Sequence, residues 1–272
     1  MSERLPAEFA AALAATDARR RHIGAKVHYF SETSSTNDVA GRYADAGAAE
    51  GTVVIASAQT SGRGRLGRTW YSPPGAGLYL SIVLRDRSAA PFLTLAGGVA
   101  VVEGVRAATG LPLEIKWPND VVTRSTNGPA PRRKIAGVLA EASSTAEGLQ
   151  HVILGIGINL SPAAYPPDVA NRASSIEAEL GRAVDAGPVL AEVLAALSVE
   201  LEPLSRGESS PLLTRWRALA PSASGTSVEC ETPGGRLNGV AAGIDESGAL
   251  LVRVGSRTER IISGEVVWKQ AK

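Results

Sequence analysis

Apolar and polar positions change their period along the chain, and the changes mark its elements. Phe9, Leu13 and the neighbouring alanines share one face of a helix over residues 5–21. Pro6 fits its first turn, and Arg19, Arg20 and Arg21 sit at its negative pole. Val27-His28-Tyr29-Phe30 predicts a short strand, followed by a helix over 37–46 that stops at Gly47. Apolar runs predict buried strands at 52–58 and 77–84. Residues 91–109 read as a long apolar helix closed by Gly110, with Gly97-Gly98 inside it as a mark of close packing. Strands are predicted at 113–116, 121–122, 134–141 and 151–160. A loop is expected at 124–132, between two of these strands, and a proline-rich connection at 161–171 leads from the last of them to a helical region. Helices are predicted there at 174–180, 187–204 and 209–219, and Val189, Leu190, Val193, Leu194, Leu197 and Leu201 repeat at core-helix spacing.

The pattern then shortens. Pro221-Ser222-Ala223-Ser224-Gly225 reads as a linker. Beyond it, strands at 226–231, 236–244, 248–254 and 258–262 are punctuated by turns at Pro233-Gly234-Gly235 and Asp245-Glu246-Ser247-Gly248. A β-module of about fifty residues buries too little to be very stable alone, so it is expected to dock on the first part. The expected organisation is an α+β domain over 1–223 and a β-module over 224–272.

Composition narrows the classes. The chain has 272 residues, 44% of them apolar, enough for a sizeable core. Lys+Arg is 28 against Asp+Glu 27, a net +1, which argues against a general nucleic-acid or membrane binder. Cys230 is the one cysteine, so an intramolecular disulfide and a multi-cysteine zinc cluster are excluded, as suits a reducing cytoplasm. The N-terminus has no signal pattern, and no apolar run is read as approaching the ~20 residues of a membrane span. His22, His28 and His151 are scattered, without the spacing that holds a metal. Only five lysines occur among the 28 basic residues, and two of them, Lys116 and Lys134, lie in chemically suggestive motifs.

The strongest chemical signal is Gly62-Arg63-Gly64-Arg65-Leu66-Gly67-Arg68-Thr69-Trp70. Its glycines let backbone N–H groups approach an anion, and its arginines match carboxylates and phosphates. No Asp or Glu lies between Glu50 and Asp86 to neutralise it in sequence. The spacing of Gly62, Gly64 and Gly67 also satisfies G-x-G-x-x-G, but Ser72-Pro73-Pro74-Gly75 forbids the helix that a dinucleotide fingerprint requires. The loop is expected to be a mobile anion clamp, disordered when empty.

Other candidates surround it. Ser35, Thr36 and Asn37 lie in a hydroxyl-rich run that either caps the helix or binds a polar head group, and the local sequence favours capping. Lys116-Trp117-Pro118-Asn119-Asp120 places charged groups at a strand end. Gly137 inside its strand predicts a close backbone approach. Gly155, Gly157 and Asn159 alternate on one strand face with little bulk, to be filled by a ligand or by a closely packed helix.

Together, Ser35-Thr36-Asn37, Gln59 with the 62–70 loop, Lys116 to Asp120, Lys134-Ile135-Ala136-Gly137, Gly155 to Asn159, and a C-terminal β-module with Gly264-Glu265 resemble the biotin protein ligases, from about residue 27 to the end. The resemblance implies an α+β fold, with a mixed sheet and helices of the class II synthetase-like biotin–lipoate ligase type, plus a small SH3-like β-barrel. Residues 1–26 are too short for the winged helix of repressor-type members, so the non-regulatory class is expected, with no DNA and no membrane partner. The resemblance implies two steps. ATP activates biotin to biotinyl-5′-AMP with Mg²⁺ accompanying the nucleotide, and a lysine of a biotin carboxyl carrier protein then displaces AMP.

By that resemblance Ser35, Thr36, Asn37 and Gln59 would hold biotin's ureido ring. Gly62, Arg63, Gly64 and Arg65 would close over its carboxylate and the α-phosphate. Lys134 would stabilise charge where the two anions meet, and Lys116 and Asp120 would line the phosphate side. Three roles are open to Asp120: orienting Lys116, approaching Mg²⁺, or assisting deprotonation of the amine. Arg68, Trp70 and Asn159 would contact ATP, the last two at its adenine. Gly137 and Gly155 would make room for biotin's apolar body. Family members often carry an arginine shortly after the Gly-Glu pair. Here Val266-Val267-Trp268-Lys269 follows, and Lys269 is the substitute point charge. The competing readings are a lipoate–protein ligase on the same scaffold and, from another class, a nucleic-acid-binding module using the basic loop.

Overall fold

A computed structural model describes residues 2–124, 132–163, 165–232 and 235–269. Its larger sheet has seven strands: β1 (Val27–Phe30), β2 (Val53–Ala56), β3 (Gly77–Leu84), β4 (Leu113–Lys116), β5 (Asp120–Thr123), β6 (Lys134–Thr145) and β7 (Gly148–Asn159). Their spatial order is β1-β2-β3-β7-β6-β5-β4. The β1–β2 pair is parallel and every other pair is antiparallel. Seven helices accompany it among the described residues: α1 (Ala7–Arg20), α2 (Thr36–Asp45), α3 (Leu93–Thr109), α4 (Pro167–Ala170), α5 (Ile176–Leu180), α6 (Ala186–Ser205) and α7 (Ser210–Leu219).

Strand alternation gives the sheet two unlike faces. On one, Leu78, Leu80, Ile82, Val138, Leu154, Ile156 and Ile158 are buried in a core shared with α1, α3, α6 and α7. Each such side chain removed from water contributes about 1.5–3 kcal/mol. Gly97 marks the close packing expected of it, since a Cβ there would stand 2.8 Å from Val138 Cγ1. On the other face Val54, Val83 and Ile153 meet Val39, Ala40 and Ala44 of α2 in a small separate cluster. That helix covers only part of the face, and the uncovered part becomes the candidate site.

The helix α3 with its preceding turn, residues 90–109, is long and apolar enough to cross a membrane by length and composition. This corrects the reading that no such run exists. Its apolar side chains are largely buried in the main core, where they pack against the sheet and α6.

A second sheet is antiparallel, with β8 (Ser224–Thr232), β9 (Gly235–Ile244), β10 (Leu250–Val254), β11 (Arg257–Ile261) and β12 (Glu265–Trp268) in the order β11-β10-β9-β8-β12. Val228, Cys230, Leu250, Val252 and Ile261 fill its interior and join the main core, so this SH3-like module is not an independent cluster. Two sequence expectations change here. The 221–225 segment is a short 3-10 turn, Pro221–Ala223, with Ser222 and Ala223 buried, rather than an open linker. The strand β12, pairing with β8, has no counterpart among the predicted strands. The predicted turn at Pro233-Gly234 and most of the 124–132 loop lie outside the described residues.

Candidate active site

The site grows from register. Lys116 faces Asp120 across the β4–β5 hairpin, Asp120 pairs with Gly137, Gly137 with Gly157, and Gly157 with Tyr79. Directly paired residues share a face. A second row runs Leu139, Gly155, Ser81, and a third runs Glu141, Ile153, Val83. All three rows lie on the face that α2 covers only in part.

Lys134 reaches this face because of a β-bulge. The β5–β6 register shifts between Val121 and Val122, so that Val122 pairs with Lys134 and Ile135 is the extra residue. Without that shift, Lys134 and Gly137 would point to opposite faces. With it, a Cβ at Gly137 would lie 3.1 Å from Lys134 Nζ and 3.0 Å from the Trp70 ring. Lys134 Nζ sits 2.6 Å from Asp120 Oδ1 and 5.0 Å from the centre of the Trp70 ring, a cation–π contact. The backbone at Lys134 is pinned too. Its N–H donates to Arg172 O, and its carbonyl accepts from Ser174 N–H and from the Asn159 amide.

A polar network occupies the next row. The Ser81 hydroxyl donates its proton to Asn37 Oδ1 at 2.5 Å, and its oxygen lies within hydrogen-bond distance of Thr36 Oγ1 at 2.8 Å. Gln59 Oε1 accepts from the Thr36 backbone N–H (2.8 Å) and hydroxyl (3.1 Å), while its Nε2 donates to Ser72 Oγ (2.8 Å). Helix α2 is therefore capped by Gln59 from another element. Ser35, at the N-cap position, makes no side-chain capping bond, which corrects the local reading of that run.

The 62–70 loop is a compact excursion. Gly64 N–H donates to Arg68 O, Trp70 N–H donates to Gly62 O, and Arg63 bridges Thr69. Gly62 closes its neck, since a Cβ there would stand 2.4 Å from Trp70 O. Leu66, at φ 56, is exposed at its tip. The loop is not without counter-charge, as its sequence neighbourhood suggests. Arg63 donates to Asp38 and to Glu141 Oε2 at 2.7 Å, both remote in sequence. Burial opposes its charge, but those two carboxylates outweigh it and raise the guanidinium pKa.

These elements enclose a cleft of about 390 Å³. The described residues lining it include six basic side chains (Arg63, Arg65, Arg68, Lys116, Lys134, Arg172) and one acidic one, Asp120. Burial pushes the pKa of Lys116 down, with Asp120 opposing the shift and Lys134 adding to it. Burial likewise lowers that of Arg65, with Asp120 opposing, and its guanidinium reaches Asn119 Oδ1 at 3.4 Å. An anion entering the cleft would relieve both.

Sequence comparison decides the family. The biotin/lipoate A/B protein ligase family matches residues 29–159, and the biotin protein ligase C-terminal domain matches residues 223–268. The biotin–[acetyl-CoA-carboxylase] ligase of Mycobacterium tuberculosis is 35% identical over 246 residues, 87% of this chain and 86% of that one. The chain belongs to the biotin protein ligase family. The bifunctional ligase/repressor of Bacillus subtilis is 33% identical, over 90% of this chain and 74% of its own length. The biotin protein ligase of Aquifex aeolicus, solved in complex with biotin and ATP, superposes with a TM-score of 0.77 at 28% identity, over 91% of this chain and all of that one.

Most residues expected from sequence line the cleft of this ligase: Ser35, Thr36, Asn37, Gln59, Arg63, Gly64, Arg65, Arg68, Trp70, Lys116, Asp120, Lys134, Gly137 and Gly155. Gly62, Asn159 and Lys269 do not. Buried Asn159 donates to Lys134 O and Ser174 O, and Lys269 bonds Asn238 and pairs with Glu229 within the C-terminal module. Gly155 and Gly157 are filled by protein. A Cβ at Gly155 would meet Asn37 Oδ1 at 2.2 Å, and one at Gly157 would meet Trp70 Nε1 at 2.4 Å. Helix packing thus accounts for the room at Gly155, whereas the space at Gly157 is taken by the loop tryptophan, which neither sequence alternative named.

Sequence reasoning missed Arg172, Ser81, Glu141 and the β12 wall of Val266, Val267 and Trp268. It also gave Trp117 no role. Trp117 is buried, and its Nε1 donates to Gly248 O at 3.0 Å, which ties the Lys116–Asp120 turn to the C-terminal module. Trp117→Phe keeps an aromatic ring but orphans that carbonyl. It is expected to destabilise the ligase by about 1–3 kcal/mol, read as a lower midpoint in urea unfolding. An unchanged midpoint would show that the bond contributes nothing.

Proposed function

We propose that this ligase activates biotin with ATP to biotinyl-5′-AMP and transfers biotin to a lysine of a biotin carboxyl carrier protein. The observation that carries the reading is a cleft with two unlike ends. One end has the uncharged hydrogen-bonding groups of Ser35, Thr36, Asn37 and Gln59, and the other has a concentration of cations around Lys134. A ligand with a polar neutral head, an apolar body and a terminal carboxylate matches the first end. A polyphosphate matches the second.

In the first step a biotin carboxylate oxygen bonds to the α-phosphorus of ATP, and pyrophosphate leaves. Two anions must meet, and negative charge builds on the transferring group. Lys134 neutralises it at a single point, which an ammonium does better than a wide guanidinium. Arg65 reaches in to hold carboxylate and phosphate, while Arg63, bound to Asp38 and Glu141, and the turns at Gly62 and Gly64 anchor the loop that carries it. Lys116, Arg68 and Trp70 serve ATP, and Lys269 would act as the point charge of the C-terminal module only by leaving Asn238 and Glu229. Asn159 supports this end through the Lys134 backbone it bonds.

In the second step the acceptor's neutral ε-amine attacks the acyl carbon, the acyl–oxygen bond breaks with AMP keeping the bonding pair, and the nitrogen loses a proton to leave an amide. Asp120 is the carboxylate placed near that end. Mg²⁺ would arrive on the nucleotide, since it usually binds through substrate phosphates and one or two carboxylates, and Asp120 is the carboxylate on hand among the described residues lining the cleft. Magnesium would there offset phosphate charge. The acceptor we infer is the carrier domain of acetyl-CoA or acyl-CoA carboxylase, and buried Cys230 fits work in the cytoplasm. The chain divides for this task into a catalytic unit, 1–223, and the module 224–272.

ATP–pyrophosphate exchange tests the reading. Exchange dependent on biotin supports it. Exchange with lipoate and none with biotin would replace it by a lipoate ligase. For the loop, Arg65→Gly is expected to speed release of bound adenylate about tenfold, since a charge-assisted contact is lost. An unchanged release rate would remove Arg65 from the clamp.

A further inference from the structure

We infer that Glu141 is a positioning residue that couples the head-group end of the cleft to the arginine loop. The inference rests on the biotin-ligase reading of this cleft. Glu141 lies on β6, two strand positions beyond Leu139 and on the same face of the sheet as Gly155 and Ser81. Its Oε2 accepts from two elements at once, from Asn37 Nδ2 of α2 at 2.5 Å and from the Arg63 guanidinium at 2.7 Å.

The first bond sets chemistry. An amide side chain can present either end, and partners decide which. Glu141 accepts only, so it takes the Asn37 NH₂, while the Ser81 hydroxyl donates to Asn37 Oδ1. Asn37 is thereby fixed with its oxygen turned into the sheet face above Gly155, presenting an acceptor there. A head group that carries N–H donors is selected, and one without them is not.

The second bond sets the loop. Arg63 pairs with Glu141 and Asp38, and it is held about two-fifths exposed. An isolated surface ion pair contributes little. This one shares its acceptor oxygen with a buried amide, so a shift of Asn37 on ligand entry alters the bond to Arg63, and a shift of Arg63 alters Asn37. A path of bonds closes the circuit: Asn37 to Ser81, Ser81 to Thr36, Thr36 to Gln59, Gln59 to Ser72, and Ser72 to Trp70 O at the other end of the loop. Both ends of the loop therefore attach to the residues that hold the head group.

Three variants separate the two bonds. Glu141→Gln keeps an acceptor oxygen for Asn37 but loses the charge that holds Arg63. Glu141→Ala loses both. Asp38→Asn loosens Arg63 alone. The measurements are biotin affinity by calorimetry, adenylate release by filter retention, and thermal midpoint as the check on folding. Glu141→Ala is expected to weaken biotin about tenfold and to speed adenylate release about tenfold. Glu141→Gln and Asp38→Asn are expected to speed release while biotin affinity stays within about threefold. In a cycle with Arg63→Ala, the effects of Arg63→Ala and Glu141→Ala on release should be non-additive. A folded Glu141→Ala protein with unchanged affinity and release would overturn the inference, as would strict additivity. If the parent enzyme itself binds no biotin and forms no adenylate, the functional reading fails, and the inference falls with it.

Discussion

Lys134→Ala is expected to slow biotinyl-5′-AMP formation by about 10²–10³-fold, the loss typical of removing one pre-organised charge stabiliser. The site explains why the loss should be large. Lys134 Nζ is held between Asp120 Oδ1 at 2.6 Å and the face of Trp70, and the backbone beneath it is fixed by four partners, Arg172, Ser174, Asn159 and the bulged ladder to Val122. The ammonium is therefore held near the cleft before any substrate charge develops. Folding should survive, because Lys134 opens its strand, its side chain is about a third exposed, and its ion pair with Asp120 is worth about 0–1 kcal/mol. Single-turnover adenylate formation and thermal unfolding, measured on the same sample, check both halves. Near-normal adenylation would remove Lys134 from its role. Lys134→Arg should rescue poorly, since a planar fork does not fit the space between Asp120, Trp70 and Gly137.

Gly155→Ala is expected to raise the biotin concentration needed for half-maximal rate by about 10²-fold and to cost about 1–3 kcal/mol of stability from overpacking. The added methyl would stand 2.2 Å from Asn37 Oδ1, where no carbon can remain. Something must shift, and Asn37 is the mobile partner, because Gly155 is locked in the ladder between Ser81 and Leu139. Moving Asn37 breaks its bonds to Ser81 and Glu141 together. Steady-state kinetics with biotin varied, beside urea unfolding, read the two effects separately. A small, purely structural loss with unaltered biotin dependence would mean that Asn37 does not contact biotin.

Much of this fold is legible in the chain. Strand 77–84, strand 113–116 and the core helices carry strong local signals, and their residues form the predicted elements within a residue or two. The site motifs are readable because charge and glycine are rare in buried strands. What escapes reading is what depends on pairing. The bulge at Ile135 that turns Lys134 onto the Gly137 face is a property of two strands, and neither sequence announces it. Glu141 looks like an ordinary strand residue until β6 brings it beside α2 and the loop. Arg172 follows a proline-rich stretch without a motif, and its backbone bond to the start of β6 helps place it at the cleft. The α2 cap is misread for the same reason. Local hydroxyls are visible in sequence, whereas Gln59 arrives from 23 residues away.

The loop is also redefined by tertiary structure. From sequence it is a cationic segment with no counter-charge. In the fold, Arg63 is already committed to Asp38 and Glu141, while Arg65 leans into the cleft toward Asn119. The arginines thus divide their work, one anchoring and one reaching inward.

A cleft of this kind should make biotinyl-5′-AMP and transfer its biotinyl group to a lysine, releasing AMP. Intact-mass and peptide mass spectrometry of a carrier domain, after incubation with the ligase, biotin and Mg-ATP, tests it most directly. The account predicts one biotinyl adduct on a single lysine, dependent on ATP and lost with Lys134→Ala. An unmodified carrier beside an active control ligase, or modification by lipoate in place of biotin, would contradict it.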